Sequence, residues 1–157
     1  MATNNNNNYK EYTVKVYNNR TEWYLNDKLH REDGPAIERT DGSKSWWLNG
    51  KLHREDGPAV ERTDGSKSWY LNDTLHREDG PAVECADGAK AWYLNGKHHR
   101  ENGPAIEYVD GTKEWFLNNE EYTETQWKKE IAKRRPSCDG RIVEIDGKKY
   151  KLIEENK

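Results

Sequence analysis

Apolar and polar positions alternate along most of this chain, in a pattern that returns every 23 residues. Within one copy, residues 35–40 and 43–48 each alternate with a period of two, and Asp41-Gly42 separates them. Such alternation is typical of half-buried β-strands, and two strands joined by Asp-Gly predict a hairpin with a type I′ turn. Asn49-Gly50 predicts a further turn, and residues 53–57 lead into the next copy. Each copy is therefore predicted to form a β-hairpin.

Tryptophan marks the same position in every copy, and these residues are predicted to form the structural core. Self-similarity at a fixed period indicates a stack in which each copy packs only against its neighbours. The predicted fold class is all-β: stacked β-hairpin repeats, as a solenoid or extended twisted sheet, followed by a C-terminal capping helix and a final hairpin. The tryptophans of the predicted core are Trp23, Trp46, Trp69, Trp92 and Trp115.

A two-residue turn fixes which residues lie opposite each other in a hairpin. With Asp41-Gly42 as the turn, Ile37 is expected opposite Trp46 on a buried face, and Ala36 opposite Trp47 on the other face. On that second face an aromatic series runs beside a glutamate series and forms a candidate protein-binding face, although an aromatic ladder that only stabilises the sheet would show the same pattern. Its residues are Tyr24, Trp47, Tyr70, Tyr93, Phe116, Glu38, Glu61, Glu84 and Glu107.

The two ends of the chain depart from the repeat in different ways. Residues 1–8 include five consecutive asparagines and are expected to form a disordered leader. Residues 9–121 hold five hairpin repeats, the first of them degenerate, with Asn18-Asn19 at its turn. Residues 122–157 are expected to form a cap. Thr123 and Gln126 form a capping-box signature ahead of a helix over about 124–134, and residues 141–153 are expected to form the final hairpin.

Composition and charge exclude several classes of protein. The 157 residues include 26 basic and 29 acidic residues, finely interspersed, with a formal net charge of -3. A nucleic-acid-binding surface needs a basic stripe, which this distribution does not provide. Residues 2–20 contain no apolar run, so we expect no signal peptide, and no stretch approaches membrane-spanning length. Cys85 and Cys138 lie outside any CxxC spacing and are expected to be reduced thiols, so the expected location is the cytoplasm.

The 23-residue unit, with its aromatic residue, Asn-Gly, His, Gly and Asp-Gly, resembles the MORN repeat (membrane occupation and recognition nexus). The resemblance covers residues 12–121 and departs at residues 30–36, which read H-R-E-D-G-P-A where the family has R-H-G-x-G. The longer pattern W-Y-L-N-G-K-x-H-R-E-D-G-P-A-x-E, followed by a short helix, is similar to repeat proteins of tailed phages and giant viruses. The resemblance implies a stack of hairpins with an interaction role, in the host cytoplasm if the protein is viral.

Histidine recurs in the loop of each full copy and raises the question of a metal site. Equivalent residues of successive hairpins are about 9.5 Å apart, which is two strand spacings. Two imidazoles that share a zinc ion must each place a nitrogen about 2 Å from it. We therefore predict no metal site and expect these histidines to orient the loop through hydrogen bonds. They are His30, His53, His76 and His99.

Arginine follows each of these histidines and is a candidate ligand for phosphate or carboxylate groups, because a guanidinium binds them through two hydrogen bonds. The acidic residues that follow can instead neutralise each arginine in an ion-pair ladder between copies. Arg100 is the better candidate, because Asn102 replaces an aspartate there. The candidate phosphate-binding residues are Arg31, Arg54, Arg77 and Arg100.

The sequence contains no recognisable catalytic constellation. The hairpin serines are replaced by Ala, Thr or Glu in other copies, and neither cysteine has a local base. We therefore expect no enzyme activity and no cofactor. Three functions stay open: a binding module of a phage or virus that engages and inhibits a host defence protein, a sponge for a small nucleotide-type ligand, and a structural spacer or virion component. The expected partner is a host protein, and the chain is expected to be a monomer or a homodimer.

Overall fold

A computed structural model describes residues 10–134 and 142–151 of the chain. The chain divides into two compact units, Met1–Tyr122 and Thr123–Lys157. The predicted leader at residues 1–8 lies outside the described residues, as do residues 141, 152 and 153 of the predicted final hairpin. Within the described ranges, no helix has both the length and the apolar character needed to cross a membrane.

The first unit is built from antiparallel hairpins, which confirms the predicted all-β stack. The strands are β1 (Thr13–Tyr17), β2 (Arg20–Leu25), β3 (Lys28–Leu29), β4 (Ile37–Arg39), β5 (Lys44–Ser45), β6 (Trp47–Leu48), β7 (Lys51–Leu52), β8 (Val60–Glu61), β9 (Lys67–Ser68), β10 (Tyr70–Leu71), β11 (Thr74–Leu75), β12 (Val83–Glu84), β13 (Lys90–Ala91), β14 (Tyr93–Leu94), β15 (Lys97–His98), β16 (Ile106–Glu107), β17 (Lys113–Leu117) and β18 (Glu120–Tyr122). Three short hairpins, β6–β7, β10–β11 and β14–β15, form separate two-stranded sheets, and the other strands form one sheet of twelve.

The turn between β4 and β5 contains three residues and not the predicted two. The N–H of Arg39 donates to the carbonyl of Ser43 at 2.9 Å, and the N–H of Gly42 donates to the carbonyl of Arg39 at 3.0 Å. Gly42 has a φ of 92°, as in a type I turn followed by a left-handed glycine. Ile37 consequently pairs with Ser45. The same pairing recurs in the later copies, as Val60 with Ser68, Val83 with Ala91, and Ile106 with Glu114.

This shift of one residue corrects the predicted faces, because neighbouring residues of a strand point to opposite sides of the sheet. Ile37 lines a depression together with Ser45 and Trp47. The predictions that Ile37 lies opposite Trp46, and Ala36 opposite Trp47, are therefore wrong. The aliphatic residue of each copy shares a side with the varied aromatic series and not with the repeated tryptophan.

Four alanines, with Leu117 in the last copy, provide the fully buried side chains of the repeats. Ala36, Ala59, Ala82 and Ala105 are 0% exposed, whereas the tryptophans predicted as the core are only partly buried. The carbonyl of each alanine accepts a hydrogen bond of 2.8 Å from the N–H of a tryptophan thirteen residues earlier. The alanines therefore lie at contacts between successive copies.

The Asn-Gly turns form as predicted. Asn49 and Gly50 have φ angles of 53° and 80°, and a type I′ turn requires positive φ at both positions. The N–H of Gly50 also donates to the carbonyl of Leu29 at 2.8 Å, so the turn bonds to the preceding copy. These short hairpins therefore connect the copies at a second place, outside the large sheet.

The second unit contains the predicted helix, α1 (Glu124–Arg134), and a hairpin of β19 (Ile142–Ile145) with β20 (Lys148–Lys151). The capping box has formed, since the N–H of Thr123 donates to Gln126 at 2.9 Å and the N–H of Gln126 donates to the Thr123 hydroxyl at 3.3 Å. Trp127 and Ile131, one helical turn apart, are both buried.

Candidate functional site

Each arginine of the candidate phosphate-binding series lies over the ring of a repeated tryptophan. The guanidinium carbon is 4.3 Å from the ring centroid for Arg31 over Trp23 and 4.0 Å for Arg54 over Trp46. Cation–π contact at this distance stabilises both groups. The glycine three residues after each arginine leaves the necessary room, since a Cβ on Gly57 would lie 2.9 Å from the guanidinium of Arg54. Arg77 over Trp69 and Arg100 over Trp92 repeat the contact at 4.0 Å and 3.7 Å.

The hydrogen-bond donors of these arginines are directed to groups of the chain itself. In the second full loop, Nε of Arg54 donates to Asp56 at 2.9 Å, and Nη1 donates to Glu61 at 2.9 Å and to the Pro58 carbonyl at 3.2 Å. The pKa of Asp56 is lowered, mainly because its carboxylate accepts this hydrogen bond from Arg54. The expected neutralisation is therefore present, although it links each arginine to its own loop and the next strand.

Arg100 keeps the same arrangement despite the loss of one acid. Its Nε donates to the amide oxygen of Asn102 at 3.1 Å, and its Nη1 donates to Glu107 at 2.8 Å. Asn102 thus preserves the hydrogen bond while removing a charge. The side chain is 21% exposed, nearly the same as the 22% of Arg31, so this arginine is no more accessible than the others.

The repeated histidines bind the next copy. Nδ1 of His53 accepts the backbone N–H of Asn72 at 3.3 Å, and Asn72 has a φ of 52° at the start of the following turn. His30 holds Asn49 in the same way at 3.1 Å. The geometry gives these side chains the loop-orienting role that we expected. Among the described residues, no three or more His, Cys, Asp or Glu side chains form a group that could hold a metal ion.

The aromatic series lies on the other side of the sheet, which we call the aromatic surface; it carries Tyr24, Trp47, Tyr70, Tyr93 and Phe116. In the first full copies this surface forms a depression of about 460 Å³ whose apolar lining includes Ile37, Trp47, Leu52 and Val60. Arg39, Lys44 and Arg62 also line it, together with Asp41 and Glu61, so charges of both signs border its apolar floor. The indole Nε1 of Trp47 donates to Ser45 at 2.8 Å, which fixes the ring.

The glutamate half of the predicted protein-binding face contacts the arginine series. The glutamate series, Glu38, Glu61, Glu84 and Glu107, accepts hydrogen bonds from the arginine series at 2.8–3.1 Å. The aromatic series lies with the aliphatic residues on the aromatic surface. The glutamates are therefore partners of the stacked arginines, and Glu61 also lines the depression that contains Trp47.

A distinct cluster occupies the C-terminal end of the aromatic surface. His98 replaces the leucine of the earlier copies; its Nε2 is 2.9 Å from the Tyr93 hydroxyl, and its ring centroid is 5.2 Å from that of Phe116. Tyr108 donates to Glu114 at 3.1 Å. Burial raises the pKa of Tyr93, and the nearby Tyr70 and Tyr108 add to this effect. Within the described part of the chain, Nδ1 of His98 is buried without a hydrogen-bond partner.

Sequence reasoning did not select His98, Tyr108 or Glu114 as functional candidates. Each of them departs from the repeat: Leu52 and Leu75 precede His98, Arg62 and Cys85 precede Tyr108, and serine or alanine precedes Glu114 in the earlier copies. Positions that break a repeat are freer of the constraint that every copy must fold. A comparison of the copies, position by position, could therefore have identified these residues as functional candidates.

Comparison with known proteins does not assign the chain to a family: no family model, no curated protein and no solved structure matches it.

Proposed function

We propose that this chain is a non-enzymatic binding module that engages a partner protein through its aromatic surface. The observation that supports this most is the contrast between the two sides of the sheet. The repeated arginines are stacked on tryptophans and hydrogen-bonded to the chain's own carboxylates. The aromatic surface instead presents large, partly exposed rings in a row, and such rings contribute strongly to protein–protein interfaces.

The identity of the partner follows only from the resemblance to phage and giant-virus repeat proteins. On that basis we propose a host protein as the partner and inhibition of a host defence as the purpose, in the host cytoplasm. A nucleotide-type ligand is less favoured, because binding a phosphate at the arginine series would require breaking bonds such as that from Arg77 to Asp79 at 2.8 Å.

Affinity capture with the full chain tests the proposal. The chain is used as bait in a bacterial lysate, and both the captured proteins and the released small molecules are identified by mass spectrometry. The double variant Trp47→Ala, Tyr70→Ala is expected to lose the captured protein, because large interface aromatics contribute about 2 kcal/mol or more each. Arg77→Gln is expected to retain it.

Two controls make the result specific. Lys51→Ala removes an exposed charge at the short turn and is expected to leave capture unchanged. Thermal unfolding of every variant shows whether a loss of capture reflects a loss of fold. The proposal is contradicted if the double variant retains the captured protein while Arg77→Gln loses it. It is also contradicted if denaturation releases a nucleotide from the wild type only.

A further inference from the structure

Both ends of the aromatic series carry a glutamate two residues before the aromatic ring. Glu22 precedes Tyr24 at the first end, and Glu114 precedes Phe116 at the last; the intervening copies have serine or alanine at this position. In each case the two residues share one continuous strand, β2 or β17. Residues two apart on a strand point to the same side, so each end presents a carboxylate beside an aromatic ring.

At the first end, this pair holds cations that belong to the chain itself. Nζ of Lys15 lies 4.3 Å from the centroid of the Tyr24 ring. Nε of Arg20 is 2.5 Å from Glu22, and the Tyr24 hydroxyl donates to the same carboxylate. The arrangement is a cation over an aromatic ring with a carboxylate alongside, which is a favourable environment for lysine and arginine.

At the last end, the chain does not place cations at the corresponding positions. Ile106 pairs with Glu114 where Lys15 pairs with Glu22, and Thr112 stands where the first hairpin has Arg20. The carboxylate and the ring are nevertheless both present, in Glu114 and Phe116. The surroundings are also more acidic, because Phe116 pairs across the short hairpin with Glu121, where the corresponding residue of Trp47 is Leu52.

Comparison with the positions two copies earlier shows how far the charge has changed. Arg62, Ser68 and Leu75 carry a formal charge of +1 in total, whereas Tyr108, Glu114 and Glu121 carry -2. Two rings have been added to the aromatic surface in the same region, those of His98 and Tyr108. The last end thus combines acidic charge with an aromatic cluster, as in sites that bind cationic side chains.

We propose that this C-terminal cluster, formed by Tyr93, His98, Tyr108, Glu114, Phe116 and Glu121, binds an arginine side chain of the partner protein. The inference rests on the proposed function, for which it names the contact. The guanidinium stacks on Phe116 while Glu114 and Glu121 accept its N–H groups. Arginine fits better than lysine, because its planar fork stacks on a ring and donates to two carboxylates at once. The same chemistry operates within the chain, where Arg54 stacks on Trp46 and donates to Asp56 and Glu61.

A peptide titration of the full chain tests this contact directly. The probe is the end-blocked pentapeptide Gly-Gly-Arg-Gly-Gly, and the control peptide has citrulline, which is neutral and nearly isosteric, in place of arginine. Binding is followed by NMR of the aromatic and backbone resonances. We expect saturable shifts at Phe116, Tyr93 and His98, and an affinity about five- to tenfold higher for the arginine peptide. Added salt should reduce the difference.

Matched variants locate the site. Glu114→Gln and Phe116→Leu are each expected to lower the affinity for the arginine peptide to that for the citrulline peptide. Because Glu121 could bind the guanidinium when Glu114 is replaced, the double variant Glu114→Gln, Glu121→Gln removes both carboxylates. Lys51→Ala, at an exposed turn position outside the aromatic surface, is expected to bind as wild type does. Three results would overturn the inference. They are equal affinity for the two peptides, unchanged binding by the double glutamate variant, and NMR shifts confined to the H-R-E-D-G loops.

The failure of this inference can be distinguished from the failure of the proposed function. A captured protein that is lost on Trp47→Ala, Tyr70→Ala but retained by the double glutamate variant leaves the proposed function standing and removes the arginine contact. A wild-type chain that captures nothing through its aromatic surface contradicts the proposed function itself. Analytical sedimentation gives the mass of the chain in the absence of a partner. A dimer that dissociates in the Glu114→Gln variant would show that a second copy occupies the C-terminal cluster, and this would overturn the proposal of a separate partner.

Discussion

The first hairpin and the four that follow it occupy equivalent positions of the repeat, yet they pair their residues differently. In the first, β1 and β2 are joined at Asn18-Asn19, and Val14 pairs with Trp23. In the second, the corresponding Ile37 pairs with Ser45, one residue short of the corresponding tryptophan. The turn causes this difference in pairing. In the second hairpin the bond from the N–H of Arg39 to the carbonyl of Ser43 leaves three residues in the loop, whereas the first hairpin has two.

This difference of one residue decides which side chains meet on the aromatic surface. The register of the first hairpin pairs Lys15 with Glu22, on the side of Tyr24, and so places a cation over that ring. In the second hairpin, Glu38 pairs with Lys44, and Glu38 binds Arg31 on the opposite side. The comparison teaches that identical spacing in a repeat does not guarantee identical faces, because the turn sets the register.

The largest expected effect concerns the position of the buried alanines. Ala82 is 0% exposed, whereas Thr13, at the corresponding position of the first hairpin, is exposed. Ala82→Leu is expected to lower the free energy of unfolding by about 3 kcal/mol through overpacking, and Thr13→Leu to change it by less than about 0.5 kcal/mol. Urea denaturation measures both. Equal effects would mean that the first hairpin packs as the others do.

A smaller effect is expected at the turn glycine. Gly65 has a φ of 92°, and a Cβ added there meets no atom within 4 Å, so the cost of Gly65→Ala is backbone strain alone. We expect a loss of about 1 kcal/mol. The matched control is Asn19→Ala in the first hairpin, where denaturation should show little change. A tolerated Gly65→Ala would contradict the three-residue turn.

Acid is expected to destabilise the C-terminal end of the aromatic surface. Burial lowers the pKa of His98 from its ordinary value of 6.5, and the charge of Glu114 opposes this only in part. The folded chain therefore binds fewer protons than the unfolded chain, so this contribution to stability is complete above pH 6.5 and declines as the pH falls below it. His98→Leu restores the residue of the other copies, and denaturation at pH 7.5 and 5.5 should show a smaller acid effect in this variant. An identical pH dependence in both proteins would contradict the prediction.

The smallest effect is a titration in the first hairpin. The hydrogen bond to Glu22, aided by burial, raises the pKa of Tyr24 to about 12. Glu22→Gln is expected to lower that pKa towards the ordinary value of 10.0, because the carboxylate that accepts the hydrogen bond from Tyr24 is then absent. Ultraviolet difference spectroscopy follows the ionisation. Glu38→Gln, which removes a carboxylate bound to Arg31, should leave it unchanged, and a shift with both variants would show that the effect is not local.

The accuracy of sequence-based prediction varied with the kind of turn. Asn49-Gly50 and Asp146-Gly147 both form two-residue turns with positive φ at each residue, as their composition predicts. The dipeptide Asp41-Gly42 is equally typical of such a turn, yet it lies in a three-residue loop. Its strand β4 is paired on both sides, with β2 and with β5, so the register must satisfy two neighbours and not the turn alone.

The candidate site was predictable only in part, for a related reason. The acidic residues beside each arginine indicated that the arginines are neutralised, and the structure shows those bonds. The position of the glutamate series was not predictable, because it depended on the register. His98 and Glu114 belong to one cluster through strand pairing and ring contacts, which link residues sixteen positions apart.

The sequence by itself determined the repeat, its antiparallel hairpins, the Asn-Gly turns and the capped helix, because each of these depends on residues a few positions apart. Only the tertiary structure decided the three-residue loops, the full burial of alanine where tryptophan is only partly buried, and the stacking of one arginine series on the repeated tryptophans. These features depend on which neighbouring strand competes for each backbone group. A shift of one residue costs little locally, but it transfers every side chain of the strand to the other side of the sheet.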